Sequence, residues 1–127
     1  MSGLRSPLGH ARGLGAAKDG VGHWWLQRVT AVALVPLLLW LVVSLAVMTG
    51  ADHAAARAWV ASPPVAITLS LLLVAGFWHL KLGLQVVIED YVHGRLVKTA
   101  SLLLMTFAVI VLGAIALFSV LKIAVQG

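Results

Sequence analysis

VAITLSLLLVAGFWHLKLGLQVVI, the run from Val65 to Ile88, decides the fold. It holds 24 residues with one formal charge, Lys81, and its apolar residues follow one another without amphipathic alternation. A helix rises about 1.5 Å per residue and a hydrocarbon core is about 30 Å thick, so about 20 such residues cross a bilayer. Working outward, Val29 to Thr49 gives 21 residues without a charge and Thr99 to Leu121 gives 23. The reading is an all-α integral membrane protein with three transmembrane helices, about 29–49, 65–88 and 99–121. What remains is tails and short loops, with no room for a soluble domain. Composition agrees: of 127 residues, 61% are hydrophobic and 10% charged, with a mean hydropathy of +1.05. A soluble domain averages about 45–50% apolar and about 25% charged.

The net charge of +5 does not point to nucleic acid, because the nine Lys and Arg are scattered around the ends of the apolar runs instead of forming a block. They read as topology signals. Arg5, Arg12, Lys18 and Arg28 precede the first span, and Arg95 and Lys98 lie in the segment 89–98. The opposite side has Arg57, Lys122 and, inside the second span, Lys81. The positive-inside rule then places the N-terminus in the cytoplasm and the C-terminus in the periplasm. The expected organisation is a cytoplasmic tail over 1–28, an anchor domain over 29–121 and a periplasmic C-terminus over 122–127. The first run is well beyond the 7–15 apolar residues of a signal peptide, so it reads as a retained helix. Residues 1–22 contain six glycines and are expected to be disordered or ordered only against a partner. Ser62-Pro63-Pro64 reads as an N-cap followed by prolines in a first turn, and Pro36 as a packing kink in the first span. The chain has no cysteine, which excludes disulfide, thiol and iron–sulfur chemistry within it.

The informative residues are the polar ones at or near membrane depth, where ionisable groups are costly and face a bundle interior, a cofactor or water. They are His23, Arg28, His79, Lys81, Gln85, Glu89, Asp90 and Tyr91. His79 lies nine residues before Ile88, about 13 Å from that end of its helix. Gly76 and Gly83, three residues before and four after, share its helix face, and a ligand flanked by glycines accepts a flat macrocycle against the backbone. Spacing alone leaves three readings of His79 open: haem ligation, a hydrogen bond to another helix, and ion or proton transport. Lys81, Gln85 and Glu89 form a second polar stripe, from which Lys81 is expected to snorkel toward the cytoplasmic headgroups. Asp90 falls eleven residues after His79, on the same face and about 16 Å further along. Tyr91 reads either as an interfacial aromatic anchor or as an O–H donor to a quinone carbonyl. Arg28 reads either as a positive-inside marker or as a clamp for an anionic group.

His23-Trp24-Trp25-Leu26-Gln27-Arg28 before the first span, and His79, Gly83, Gln85, Val86 and Asp90-Tyr91-Val92-His93-Gly94 in and after the second, strongly resemble the smaller hydrophobic anchor subunit of succinate dehydrogenase (complex II), its D subunit. Size, three-helix plan and N-in orientation agree, and the resemblance covers nearly the whole chain. It implies that His79 is an axial ligand of a haem b shared with the larger cytochrome b anchor subunit, and that Tyr91 hydrogen-bonds ubiquinone. It implies that Arg28 lies near the haem propionates and quinone pocket, and that Asp90 supports proton delivery on the cytoplasmic side. His23 is similar to a histidine of the propionate region, with a spacing to the arginine that differs by one residue from bacterial relatives. Nothing is carried over to Lys81.

The resemblance further implies an iron–sulfur subunit and an FAD-containing flavoprotein as partners, the anchors linking the tricarboxylic acid cycle to the respiratory chain. The chain alone would be non-catalytic, a subunit of a succinate:quinone oxidoreductase. Two rival classes are the anchor of a related quinol:fumarate reductase, and a small membrane transporter or adaptor using His79 and Lys81 or merely tying helices together. A short basic tail with no obvious transit segment leads to the expectation of a bacterial cytoplasmic (inner) membrane.

Overall fold

The computed structural model describes residues 16–126. Four helices follow in order: α1 (Ala16–Val47), α2 (His53–Ala61), α3 (Pro63–Tyr91) and α4 (Arg95–Gln126). Three are long and apolar enough to cross a membrane, spanning Gly20–Val47, Pro63–Tyr91 and Arg95–Gln126. The chain is thus an all-helical multi-pass membrane protein. α3 and α4 run past their apolar runs at both ends and α1 starts well before its run but stops at Val47, two residues short of Thr49, since apolar residues mark the thickness of hydrocarbon whereas a nucleated helix propagates for as long as its backbone bonds continue.

That difference is largest in α1. Residues 16–22 are helical although two of them are glycines, so the expected disorder does not extend to them; they continue a helix already nucleated in the apolar run. Residues 1–15, with Arg5 and Arg12, lie outside the described residues. Pro36 sits inside α1 and the helix continues through it.

The segment expected to be a plain loop over 50–64 contains α2. Asp52 caps it, its carboxylate accepting from Ala55 N at 2.8 Å, and the alanine-rich HAAARAWVA that follows has high helix propensity. α2 lies against α3 and α4. Arg57 Nη2 donates to Gln126 Oε1 at 3.3 Å, and Trp59 stacks on Trp40 of α1 with ring centroids 5.8 Å apart. Ser62 stands at the N-cap of α3 with Pro63 and Pro64 in the first turn, as expected, but its side chain makes no capping bond. Its backbone does the work: its carbonyl accepts from Ala66 N at 2.8 Å, and its N–H reaches back to Ala58 O of α2.

α3 is the central element. α1 packs on one side of it and α4 on another, while α1 and α4 make no close approach. Phe77 of α3 lies over Gly113 of α4, where an added Cβ would sit 3.4 Å from the ring. Gly76 of α3 faces Leu34 of α1. The connection from α3 to α4 is three residues, and Gly94 turns it with φ of +90°, a conformation only glycine adopts without strain. The Gly94 carbonyl then accepts from Lys98 N at 2.9 Å. The shared core is small: Ala66, Leu72, Leu82 and Val109 are the buried hydrophobic residues. The remaining apolar surface faces outward, where lipid or neighbouring membrane helices meet it without a hydration cost.

Candidate functional site

Two contacts fix how α1 and α3 run. Thr30 of α1 meets His79 of α3, and Leu34, four residues on, meets Gly76, three residues back. The helices are therefore antiparallel, and the start of α1 and the end of α3 lie at one end of the bundle.

The Thr30–His79 contact is the polar centre of this arrangement. Thr30 is 9% exposed, the one buried polar residue among those described. Its Oγ1 lies 3.0 Å from His79 Nδ1. The same hydroxyl donates to its own helix, with Leu26 O at 2.7 Å and Gln27 O at 3.1 Å. His79 is half-buried, and its Nε2 has no hydrogen-bond partner among the described residues. The expected interhelical bond exists, and it occupies only one of the two ring nitrogens.

Thr30 was missed by reading the sequence. Its signal is a polar face of α1: His23, Gln27 and Thr30 are spaced i, i+4 and i+7, which brings them to one side of a helix. His23 Nε2 and Gln27 Oε1 are both buried without a hydrogen-bond partner.

The two glycines flanking His79 differ. A Cβ on Gly76 would meet Leu34 Cδ2 at 3.9 Å, so α1 borders that side, along an apolar groove that Gly76 lines with Leu34, Leu72 and Phe77. A Cβ on Gly83 would meet nothing within 4 Å. The open ground next to His79 is therefore on the Gly83 side, toward the end of α3.

The other anticipated site residues are spread along the same end of the bundle. By helical rise, Arg28 lies about 3 Å from the level of Thr30, His23 about 10 Å, Asp90 about 16 Å and Tyr91 about 18 Å. Asp90 stays on the His79 face of α3, and His23 on the Thr30 face of α1. Arg28 does not: two residues before Thr30, it points about 160° around α1, exposed, with its guanidinium 5.3 Å over the Trp24 ring. Tyr91 ends α3 and is 77% exposed. His23, Arg28, Asp90 and Tyr91 make no hydrogen bond to one another among the described residues.

Lys81 departs from the expected snorkelling. Its Nζ lies 5.9 Å over the Trp78 ring, one turn back toward the start of α3. Side chains on a helix tilt toward its N-terminus, and an indole face at i−3 offers the cation a partner there. Gln85 Nε2 donates to Glu89 Oε1 at 3.1 Å instead of joining Lys81.

Chemically, the chain offers one imidazole with an open nitrogen beside an open glycine, and no group of three or more His, Asp or Glu for a metal among the described residues. Those features fit an octahedral metal held in a macrocycle, which needs a single axial nitrogen from each side. They do not fit a free metal ion, which needs several protein ligands.

Comparison with known proteins gives the family. Residues 2–121 match the family described as succinate dehydrogenase/fumarate reductase transmembrane subunit. The succinate dehydrogenase hydrophobic membrane anchor subunit of Rickettsia bellii is 32% identical over 121 residues, covering 94% of this chain and 88% of that one. The corresponding subunit of Paracoccus denitrificans is 30% identical, covering 86% and 84%. The succinate dehydrogenase membrane anchor subunit of Reclinomonas americana is 33% identical over 98 residues, covering 68% and 75%. A match over nearly the whole length, on a chain whose three spanning helices suit an anchor, leaves one conclusion: the chain belongs to the succinate dehydrogenase/fumarate reductase transmembrane subunit family.

Proposed function

We propose that this chain is the smaller hydrophobic anchor of a succinate:ubiquinone oxidoreductase in a bacterial inner membrane, with its N-terminus in the cytoplasm. In this reading His79 Nε2 would hold the iron of a haem b, with a further ligand supplied by the larger cytochrome b anchor. The observation that carries it is the His79 imidazole itself, held by Thr30 through Nδ1 with Nε2 open at membrane depth. When bound, the haem supplies one-electron storage beside the quinone site.

The chain's own residues do the rest. The exposed Tyr91 hydroxyl at the end of α3 donates to a ubiquinone carbonyl, where negative charge develops as electrons arrive from the iron–sulfur subunit. Reduction to quinol takes up two protons, and Asp90, exposed one residue earlier, delivers them from the cytoplasm. Arg28, which points away from α3, and His23 hold the haem propionates together with the neighbouring anchor. The flavoprotein oxidises succinate; this chain anchors that machinery and completes a dry pocket at the membrane surface. The relatives carry succinate dehydrogenase names, which supports this direction over fumarate reduction.

A second reading has its own observation: the Thr30–His79 bond would also serve a purely structural adaptor. The test is the succinate-reduced minus oxidised optical spectrum of the complex purified through this chain, for wild type, His79→Ala and His79→Gln. A b-type haem signal lost in both variants is the expected result. A signal retained in both would leave His79 with the structural role alone.

A further inference from the structure

We infer that Thr30 is the positioning residue for His79: its hydroxyl fixes the imidazole as the Nδ1–H tautomer and aims Nε2 outward for the metal. The inference rests on the haem reading above and deepens it.

The argument is an accounting of protons. Thr30 has one hydroxyl hydrogen and two lone pairs. Two backbone carbonyls lie within reach, Leu26 O at 2.7 Å and Gln27 O at 3.1 Å, and neither has a proton to give. The 2.7 Å contact is the shortest the hydroxyl makes, and a threonine in a helix bonds the carbonyl four residues back as a rule. With its hydrogen committed to α1, Thr30 Oγ1 faces His79 Nδ1 at 3.0 Å with a lone pair. Nδ1 must then carry the proton and donate it. As a ligand the ring then keeps its lone pair on the open Nε2, where a metal takes it.

The reverse arrangement leaves more unsatisfied. If Thr30 donated to Nδ1, the proton would sit on Nε2, which has no acceptor among the described residues. A bare imidazole N–H in a membrane interior is a costly group. The Nδ1–H tautomer satisfies the hydroxyl and one ring nitrogen and leaves only a lone pair facing outward.

Orientation follows from the same bond. His79 is half-buried on α3, and Thr30 belongs to a different spanning helix, so the ring plane is set by the docking of α1 against α3. Metal-bound histidines are held in this way by a partner on the remote nitrogen, and losing that partner costs about 10- to 100-fold in metal affinity. An acceptor at Nδ1 also makes the ring a stronger electron donor, which favours ferric over ferrous iron.

The test uses the whole complex, purified for wild type, Thr30→Val, Thr30→Ser and His79→Ala, with haem per flavin and the haem midpoint potential as readouts. Thr30→Val keeps the shape and removes the acceptor. It is expected to lose haem about 10- to 100-fold more readily and to shift the midpoint upward, by about 59 mV for each tenfold loss of ferric preference. Thr30→Ser keeps the acceptor and is expected to restore both values. Thr30→Val with wild-type haem content and potential, while His79→Ala loses the haem, overturns the role of Thr30 and leaves the haem reading standing. Haem retained in His79→Ala overturns the haem reading itself. Should Thr30→Val fail to assemble, pulsed EPR of the ferric wild-type complex decides through the quadrupole coupling of the remote imidazole nitrogens. A hydrogen-bonded value that Thr30→Ser preserves supports the assignment, and a value typical of an unbonded N–H overturns it.

Discussion

The contrast between Gly83 and Gly76 gives a substitution pair whose outcomes diverge for physical reasons. Both glycines sit in α3 within four residues of His79. At Gly83 an added Cβ meets nothing within 4 Å, and at Gly76 it meets Leu34 Cδ2 at 3.9 Å. Alanine is accordingly harmless to this chain at both. Each gains about 1 kcal/mol of helix propensity, and Gly76→Ala adds one van der Waals contact of about 0.1–0.2 kcal/mol. Leucine separates them. At position 76 its branch extends beyond Cβ against Leu34 at the rim of an apolar groove, crowding the α1–α3 interface at a cost of about 1 kcal/mol and pulling Thr30 from His79. At position 83 the same branch enters space that this chain leaves empty.

The expected outcomes follow. Gly76→Leu lowers the thermal midpoint of the purified complex and its haem content together. Gly83→Leu lowers haem content while the chain still inserts and associates with its partners, because what it collides with lies outside the chain. The assay is haem per flavin by optical spectroscopy alongside a thermal melt. Full haem occupancy in Gly83→Leu would refute the reasoning, since the open face beside His79 would then not be where the macrocycle lies.

Two further outcomes concern the end of α3. Tyr91→Phe is expected to raise the KM for ubiquinone about 2- to 12-fold with haem content unchanged, the effect of one hydrogen bond worth about 0.5–1.5 kcal/mol; steady-state quinone reductase kinetics check it, and an unaltered KM removes the donor role. Asp90→Asn is expected to slow quinone reduction on the order of 100-fold while succinate oxidation by an artificial dye is unchanged, and equal loss of both activities would mean an assembly defect instead of lost proton delivery.

Much of the fold was legible because lipid imposes a simple rule: three long apolar runs with one charge, Lys81, among them had to become three spanning helices. What lay outside that rule was harder to see. α2 has nine residues and no buried one, so no apolar run announces it; its signals are the Asp52 cap and a run of alanines, which are local and easily read as loop. Helix ends were misplaced for the same reason, since apolar residues report the bilayer and not the last hydrogen bond. Within the site, His79 stood out because an imidazole at membrane depth is conspicuous. Thr30 did not, because a threonine in a helix satisfies itself against its own backbone, and only the antiparallel register of α1 and α3 reveals that its oxygen has a second partner. Gly76 and Gly83 were equivalent by spacing and became distinct once Leu34 was seen to border one side. The direction of Lys81 depended on Trp78 lying one turn back, a competition that counting residues to the headgroups does not weigh.

The absence of contact between α1 and α4 bears on how the molecule is built in time. α3 and α4 are joined by three residues and packed through Phe77 on Gly113, so they form a hairpin that is complete without α1. α1 leaves the ribosome first, yet what it docks against, α3 and Trp59 of α2, is synthesised later. Its seat is the face that carries Gly76 and His79. The earliest segment to enter the bilayer thus waits for α3 to find its place, and that docking brings Thr30 to His79. Under the proposed haem role of His79, closure of the helix set and completion of the metal's seat become, for this subunit, one event.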